Sequence, residues 1–254
     1  KVYLLLVQIL HTCNAVDMQS NQINAGFYST NERFYVGDSY YRKTFVPKAE
    51  WKNKRIFIKF EGVGANAEVY VNTNPLKSTI NKNNVSFQSD ANNGTYNFVG
   101  RHQGGYSAFV LELTGMIKFD QENEILVKAN NEENPAIIPT NHVLFPVYGG
   151  IYRPVSLIVT DPINIAVNDF ASAGVYISQK NVSKKSADIK LKIKLDNKTL
   201  QTKKIEIISS IIDHSGKIVK TTQTPYTTPP QGQQEISQDI KLTNPRLWNG
   251  LDDP

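Results

Sequence analysis

Side chains able to bind a metal, attack a carbonyl or shuttle a proton are few in this 254-residue chain and widely spaced. The four histidines, His11, His102, His142 and His214, stand far apart, and none sits at a zinc-ligand spacing. No Gly-x-Ser-x-Gly string marks a nucleophile elbow. Cys13 is the only cysteine, so an internal disulfide framework is excluded. No two carboxylates are marked out by spacing for acid/base work, and Asn131-Glu132-Glu133-Asn134-Pro135 reads as a solvated turn. The chain by itself is expected to hold no catalytic residue, no cofactor and no metal. Residues 62–67, GVGANA, fit the outline of a dinucleotide-binding loop. That loop needs a helix after it, because the helix N-terminus holds the pyrophosphate. The next residues, EVYVN (68–72), have a strand pattern instead, so the glycines are expected to serve a tight turn between two strands.

The elements that must position any site are short β-rich runs divided by turn residues. Candidate strands are 55–60, 67–72, 106–113, 124–129 and 151–159. A second series covers 188–195, 204–212, 216–222 and 235–242. No long segment has a helical period, so the fold class is all-β. The first series is rich in Tyr, Phe, Gly and Asn, and the second in Lys, Ile and Thr. The composition changes near 163–166, which divides the chain into domains 1–164 and 165–254. An Asn- and Ser-rich stretch, 73–98, interrupts the first series and is expected to project as a loop.

The net charge is +5. Lysines crowd residues 180–204, but in DIKLKIKL (188–195) they alternate with Ile189, Leu191, Ile193 and Leu195. Period-2 alternation sends the apolar residues to a core and the lysines to water. Arginine and aromatic interleaving is missing, so nucleic acid is not expected as a partner. No apolar run reaches the roughly 18 residues of a transmembrane helix, and no membrane partner is expected. The opening residues, Lys1 and the apolar run 2–10, admit two readings: a secretory leader or a first strand. Asn14-Ala15-Val16 lacks the second small residue of a cleavage site, which favours the strand.

Several strings taken together resemble glycoside hydrolase family 2, its β-galactosidases above all. They are YYRKTFVPKAEWKNKRIFIKFEGVGANAEVYVN (40–72), GRHQGGYSAFVLELT (100–114), NEILVKANNEENP (123–135) and YGGIYRPVSLIV (148–159). ILHTCNAVD (9–17) is similar to the family's leucine-proline-histidine-threonine-tryptophan-asparagine segment, with Leu10 and Cys13 departing from it. This resemblance also favours the strand reading of the opening. It implies a jelly-roll, galactose-binding-like β-sandwich at 1–164 and an immunoglobulin-like β-sandwich at 165–254. NPRLWNGLDDP (244–254) resembles a family string after which further strands complete the sandwich, so the second sandwich is expected to be incomplete.

In that family a TIM barrel carries two glutamates that run a retaining mechanism. The resemblance therefore implies that this chain is a non-catalytic N-terminal region of a hydrolase, supporting and shaping the active site of a barrel it does not contain. Its implied partners are that catalytic domain and carbohydrate, held weakly or through the barrel, with a homo-oligomer also open. A periplasmic or extracellular bacterial location is favoured over a cytoplasmic one. Asn72 matches an asparagine that contacts the sugar in some members, and an amide suits hydroxyl recognition because it both donates and accepts. Leu144 stands where an aspartate is usual and cannot hydrogen-bond a hydroxyl. Arg42 and Arg153 resemble framework residues, read as buried or interfacial ion pairs, and Tyr106 and Phe109 are read as core. Two alternatives stay open: an autonomous carbohydrate-binding module, which would show an exposed aromatic platform, and a purely structural sandwich, with no polar cluster near Asn72.

Overall fold

The structure, a computed structural model, describes residues 3–7, 11–12, 36–72, 97–138 and 149–250. The chain divides into two compact units, Lys1–Asp161 and Pro162–Pro254. The insertion at 73–96, Cys13, His142 and Leu144 lie outside the described residues.

The first unit holds eleven strands among the described residues: β1 (Tyr3–Val7), β2 (His11–Thr12), β3 (Asp38–Phe45), β4 (Arg55–Phe60), β5 (Val63–Gly64), β6 (Asn66–Val71), β7 (Asn97–Gln103), β8 (Phe109–Glu112), β9 (Asn123–Asn130), β10 (Gly150–Ile151) and β11 (Val155–Thr160). One sheet runs β1-β11-β4-β8 and a second runs β3-β9-β6-β7, with a small sheet β2-β10-β5 beside them. All the pairings are antiparallel. The opening residues are a strand, with Tyr3–Val7 paired to Val155–Val159.

The core follows from strand periodicity. In β6 the residues Ala67, Val69 and Val71 turn inward, and in β9 so do Ile125, Val127 and Ala129. From the other sheet Ile56, Ile58 and Phe60 of β4 and Val155, Leu157 and Val159 of β11 meet them. Sheet faces opposed in this way make a β-sandwich. At the start of β4, Arg55 is 3% exposed and forks onto Glu112 at 3.0 and 2.9 Å. Its guanidinium also lies over the Phe57 ring at 4.7 Å.

Two predicted strands are cut differently. The run 151–159 is two strands in two sheets, β10 and β11, separated at Arg153-Pro154. Proline has no N–H to give a ladder, so pairing stops there and restarts at Val155. The run 106–113 becomes strand only from Phe109, because Gly104-Gly105-Tyr106 turns and Gly105 N donates to Ile138 O at 3.0 Å. GVGANA does form strand, turn and strand, with β6 where a dinucleotide loop would need a helix.

The second unit comprises β12 (Ile163–Ile165), β13 (Val175–Lys180), β14 (Ser186–Asn197), β15 (Lys203–Ile212), β16 (Ile218–Thr228) and β17 (Gly232–Thr243). β12 and β13 pair with β14, β17 pairs with β14 too, and β15 and β16 form a separate two-stranded sheet. Leu191, Ile193 and Leu195 of β14 pack with Ile207 of β15 and with Ile236 and Ile240 of β17. The intervening lysines face out, and Lys192 and Lys194 pair with Glu235 at 3.2 and 3.0 Å. Buried Gln238 of β17 joins the two layers by donating to Ile207 O at 3.0 Å and Thr224 Oγ1 at 2.9 Å.

Candidate functional site

Asn72 closes β6 and adopts a left-handed backbone, φ 49°. Asparagine tolerates that conformation better than most residues. Its backbone N–H donates to Glu124 O at 2.8 Å. Its side-chain nitrogen donates to Met116 O at 2.9 Å and to Asn123 Oδ1 at 2.7 Å. Its Oδ1 accepts from Glu124 N at 3.0 Å. Asn123, 1% exposed, is the hub behind it. The Asn123 oxygen also accepts from Lys118 N at 2.8 Å, and its nitrogen donates to Lys118 O at 2.7 Å. The pair of amides thus locks the end of β6 to the start of β9 and to the 116–121 turn. An amide has two N–H donors and two oxygen lone pairs. Both Asn72 donors are committed within the fold, and one lone pair remains to accept a hydroxyl.

Arg42 adjoins this corner through an ion pair with the Glu124 carboxylate. Its side chain is 65% exposed, so the pair lies at the surface and not in the interior. Arg153 departs further from the framework reading: it is exposed, and its guanidinium rests over the Tyr152 ring at 5.5 Å. Phe109 is core, stacked on Phe60 at 4.7 Å and on His102 at 4.3 Å. Tyr106 is not core, being 60% exposed beyond the Gly104-Gly105 turn. The other described histidines are separate from His102, with His11 in β2 and His214 at the β15–β16 turn beside Arg246. Burial holds the His102 imidazole below its usual range, partly offset by a backbone hydrogen bond from Gly104. That keeps it neutral at pH 7. No three His, Cys, Asp or Glu side chains converge as metal ligands among the described residues.

The sequence points to Asn72 but not to Asn123, which the fold makes the more deeply engaged of the two. The local signal is slight: an Asn after the Asp120-Gln121-Glu122 turn, at the head of an alternating strand. Only the tertiary approach of β6 to β9 reveals what it binds.

Comparison with known proteins places this geometry. The model of the family described as glycosyl hydrolases family 2 matches residues 173–254. A β-glucuronidase of Bacteroides fragilis is 32% identical over 98% of this chain and 31% of its own length. A β-galactosidase of Thermoanaerobacter pseudethanolicus is 30% identical over 86% of this chain and 25% of its own. A crystal structure from Bacteroides fragilis, described as a candidate β-galactosidase, superposes with a TM-score of 0.80 at 44% identity, covering 97% of this chain and 32% of that one. The chain spans about a third or less of the length of each of these relatives. With two all-β units that follow the relatives through both, the chain belongs to glycoside hydrolase family 2 and is a partial, non-catalytic region of such a protein.

Proposed function

We propose that this chain is the N-terminal supporting region of a retaining β-glycosidase of the β-galactosidase type. Residues 1–164 form its jelly-roll sugar-binding domain and residues 165–254 its immunoglobulin-like sandwich. Together they brace and shape the active site of a catalytic barrel carried elsewhere in the parent protein. The observation that carries this reading is the coverage: the chain matches its relatives nearly end to end while spanning about a third or less of each. Asn72 supports it locally. Its corner is rigid, and the remaining Oδ1 lone pair accepts one hydroxyl hydrogen bond from a sugar held mainly by the barrel. One neutral hydrogen bond nets only about 0.5–1.5 kcal/mol, which suits a helper contact and not an independent site. The test is to assay the purified chain against nitrophenyl β-galactoside, β-glucuronide and β-mannoside. No turnover above buffer is expected, and turnover that follows the protein through purification overturns the proposal.

A further inference from the structure

We propose that the outer face of the β6–β7–β9 sheet carries a second carbohydrate site, a cleft with an adjoining aromatic shelf that takes a short neutral saccharide. It is distinct from the Asn72 corner and does not depend on the supporting role proposed above.

The site follows from the same alternation that builds the core. Sending Ala67, Val69, Val127 and Ala129 inward turns their neighbours outward in ordered rows. The first row is all amide, with Gln103 opposite Asn66 and Asn66 opposite Asn130. The second is charged, with Arg101 opposite Glu68 and Glu68 opposite Lys128. In the third, Phe98 stands opposite Tyr70. These two rings meet at 5.4 Å, Phe98 is 47% exposed, and the Tyr70 hydroxyl donates to Glu68 at 2.7 Å. The first two rows, with Asn134 and Glu132, line a cleft of about 220 Å³.

The chemistry selects the ligand. Strands lie roughly 4.8 Å apart, so the three amides span roughly 10 Å, the reach of one pyranose with its substituents. Amides donate and accept at once, as hydroxyl pairs require. The Asn66 Oδ1 is enclosed and has no hydrogen-bond partner. An enclosed acceptor without a donor costs stability, and a ligand hydroxyl supplies the donor. Charge is balanced: Arg101 and Lys128 face Glu68 and Glu132, and Lys128 is already held by Asp38 at 3.1 Å. An anionic sugar would meet two carboxylates and a cationic one two bases, so a neutral saccharide fits. The aromatic row lies two row steps, roughly 13 Å, from the amides along the strands. That distance admits a second ring stacked on Phe98 while the first occupies the cleft, an arrangement in which the apolar face of a sugar meets an aromatic face.

The test is a titration of this chain with lactose, cellobiose and mannobiose, and with methyl β-glucuronide as the acidic comparison, by calorimetry and saturation-transfer NMR. At least one neutral disaccharide is expected to bind saturably with a millimolar Kd. Phe98→Ala is expected to weaken it about tenfold, because the apolar ring face that covers the sugar is removed, and Gln103→Ala about fivefold, from one hydrogen bond. Both side chains are exposed, so both variants are expected to fold. Tyr106→Ala, outside the rows, is expected to leave binding unchanged. Saturable binding of none of the three, tighter binding of the glucuronide than of any neutral sugar, or binding indifferent to both Phe98→Ala and Gln103→Ala each overturns the proposal. None of these outcomes bears on hydrolysis, so the two proposals fail separately.

Discussion

Replacing Asn72 separates framework from sugar contact. Asn72→Ala removes three side-chain hydrogen bonds, to Met116 O, Asn123 Oδ1 and Glu124 N. At about 1 kcal/mol net for each, the loss is about 3 kcal/mol. Alanine must also hold φ near 49°, which adds about 1–2 kcal/mol for an L-residue with no local compensation. The expected cost is about 4–5 kcal/mol, or a fall of roughly 8–20 °C in the melting temperature of the first unit. Asn72→Gly loses the same bonds without the backbone strain, so it is expected to be the milder variant by about 1 kcal/mol. Urea unfolding followed by tryptophan fluorescence reads the right unit. Trp51 is buried in the first core and changes environment on unfolding, whereas Trp248 is already exposed. If both variants lie within about 0.5 kcal/mol of the parent, the amide network is not holding this corner and the reasoning fails. If alanine is no worse than glycine, the backbone part of it fails.

Three further outcomes are expected. Burial pushes the Asp38 carboxyl up, but hydrogen bonds from Asn130 and Lys128 outweigh it and hold the group below its ordinary 3.8. A carboxyl with a lowered folded pKa stabilises above its unfolded value and loses that contribution as pH falls through the folded one. Asp38→Asn should therefore flatten the decline in unfolding free energy below about pH 4, and a slope equal to the parent's refutes the assignment. The His102 ring, held below its ordinary 6.5 chiefly by burial, should titrate in NMR below the free value, and a midpoint at or above 6.5 counts against its packing on Phe109. Gly174 has φ 70°, and an added Cβ would lie 2.4 Å from Ala166 O. Gly174→Ala should cost the second unit at least about 2 kcal/mol by thermal unfolding, and a neutral effect would mean the β12–β13 turn is not as described.

What the sequence determined by itself is whatever repeats locally. Strand identity at 55–60, 188–195 and 235–242 was legible because one inward face alternates with one outward face, or because both faces are apolar. The solvent-facing role of the 190–194 lysines followed from the same period. Family membership was legible in four ordered strings. β13 gave no such signal, since only its first residue, Val175, escapes exposure and an edge with little buried face has no apolar rhythm to read. The break at Pro154 was visible as a proline, but that it parts two different sheets depends on which strands dock on either side. Tyr106 and Phe109 are three residues apart in one Gly/aromatic string, and only packing sends one to solvent and the other between Phe60 and His102. The Asn72–Asn123 lock and the three outward rows of β6, β7 and β9 are of the same kind. They join residues separated by up to 64 positions, and hydrogen bonds between such residues exist only once the sheet has closed. Sequence period decides which side of a strand a residue takes, whereas its neighbours there are decided by pairing register.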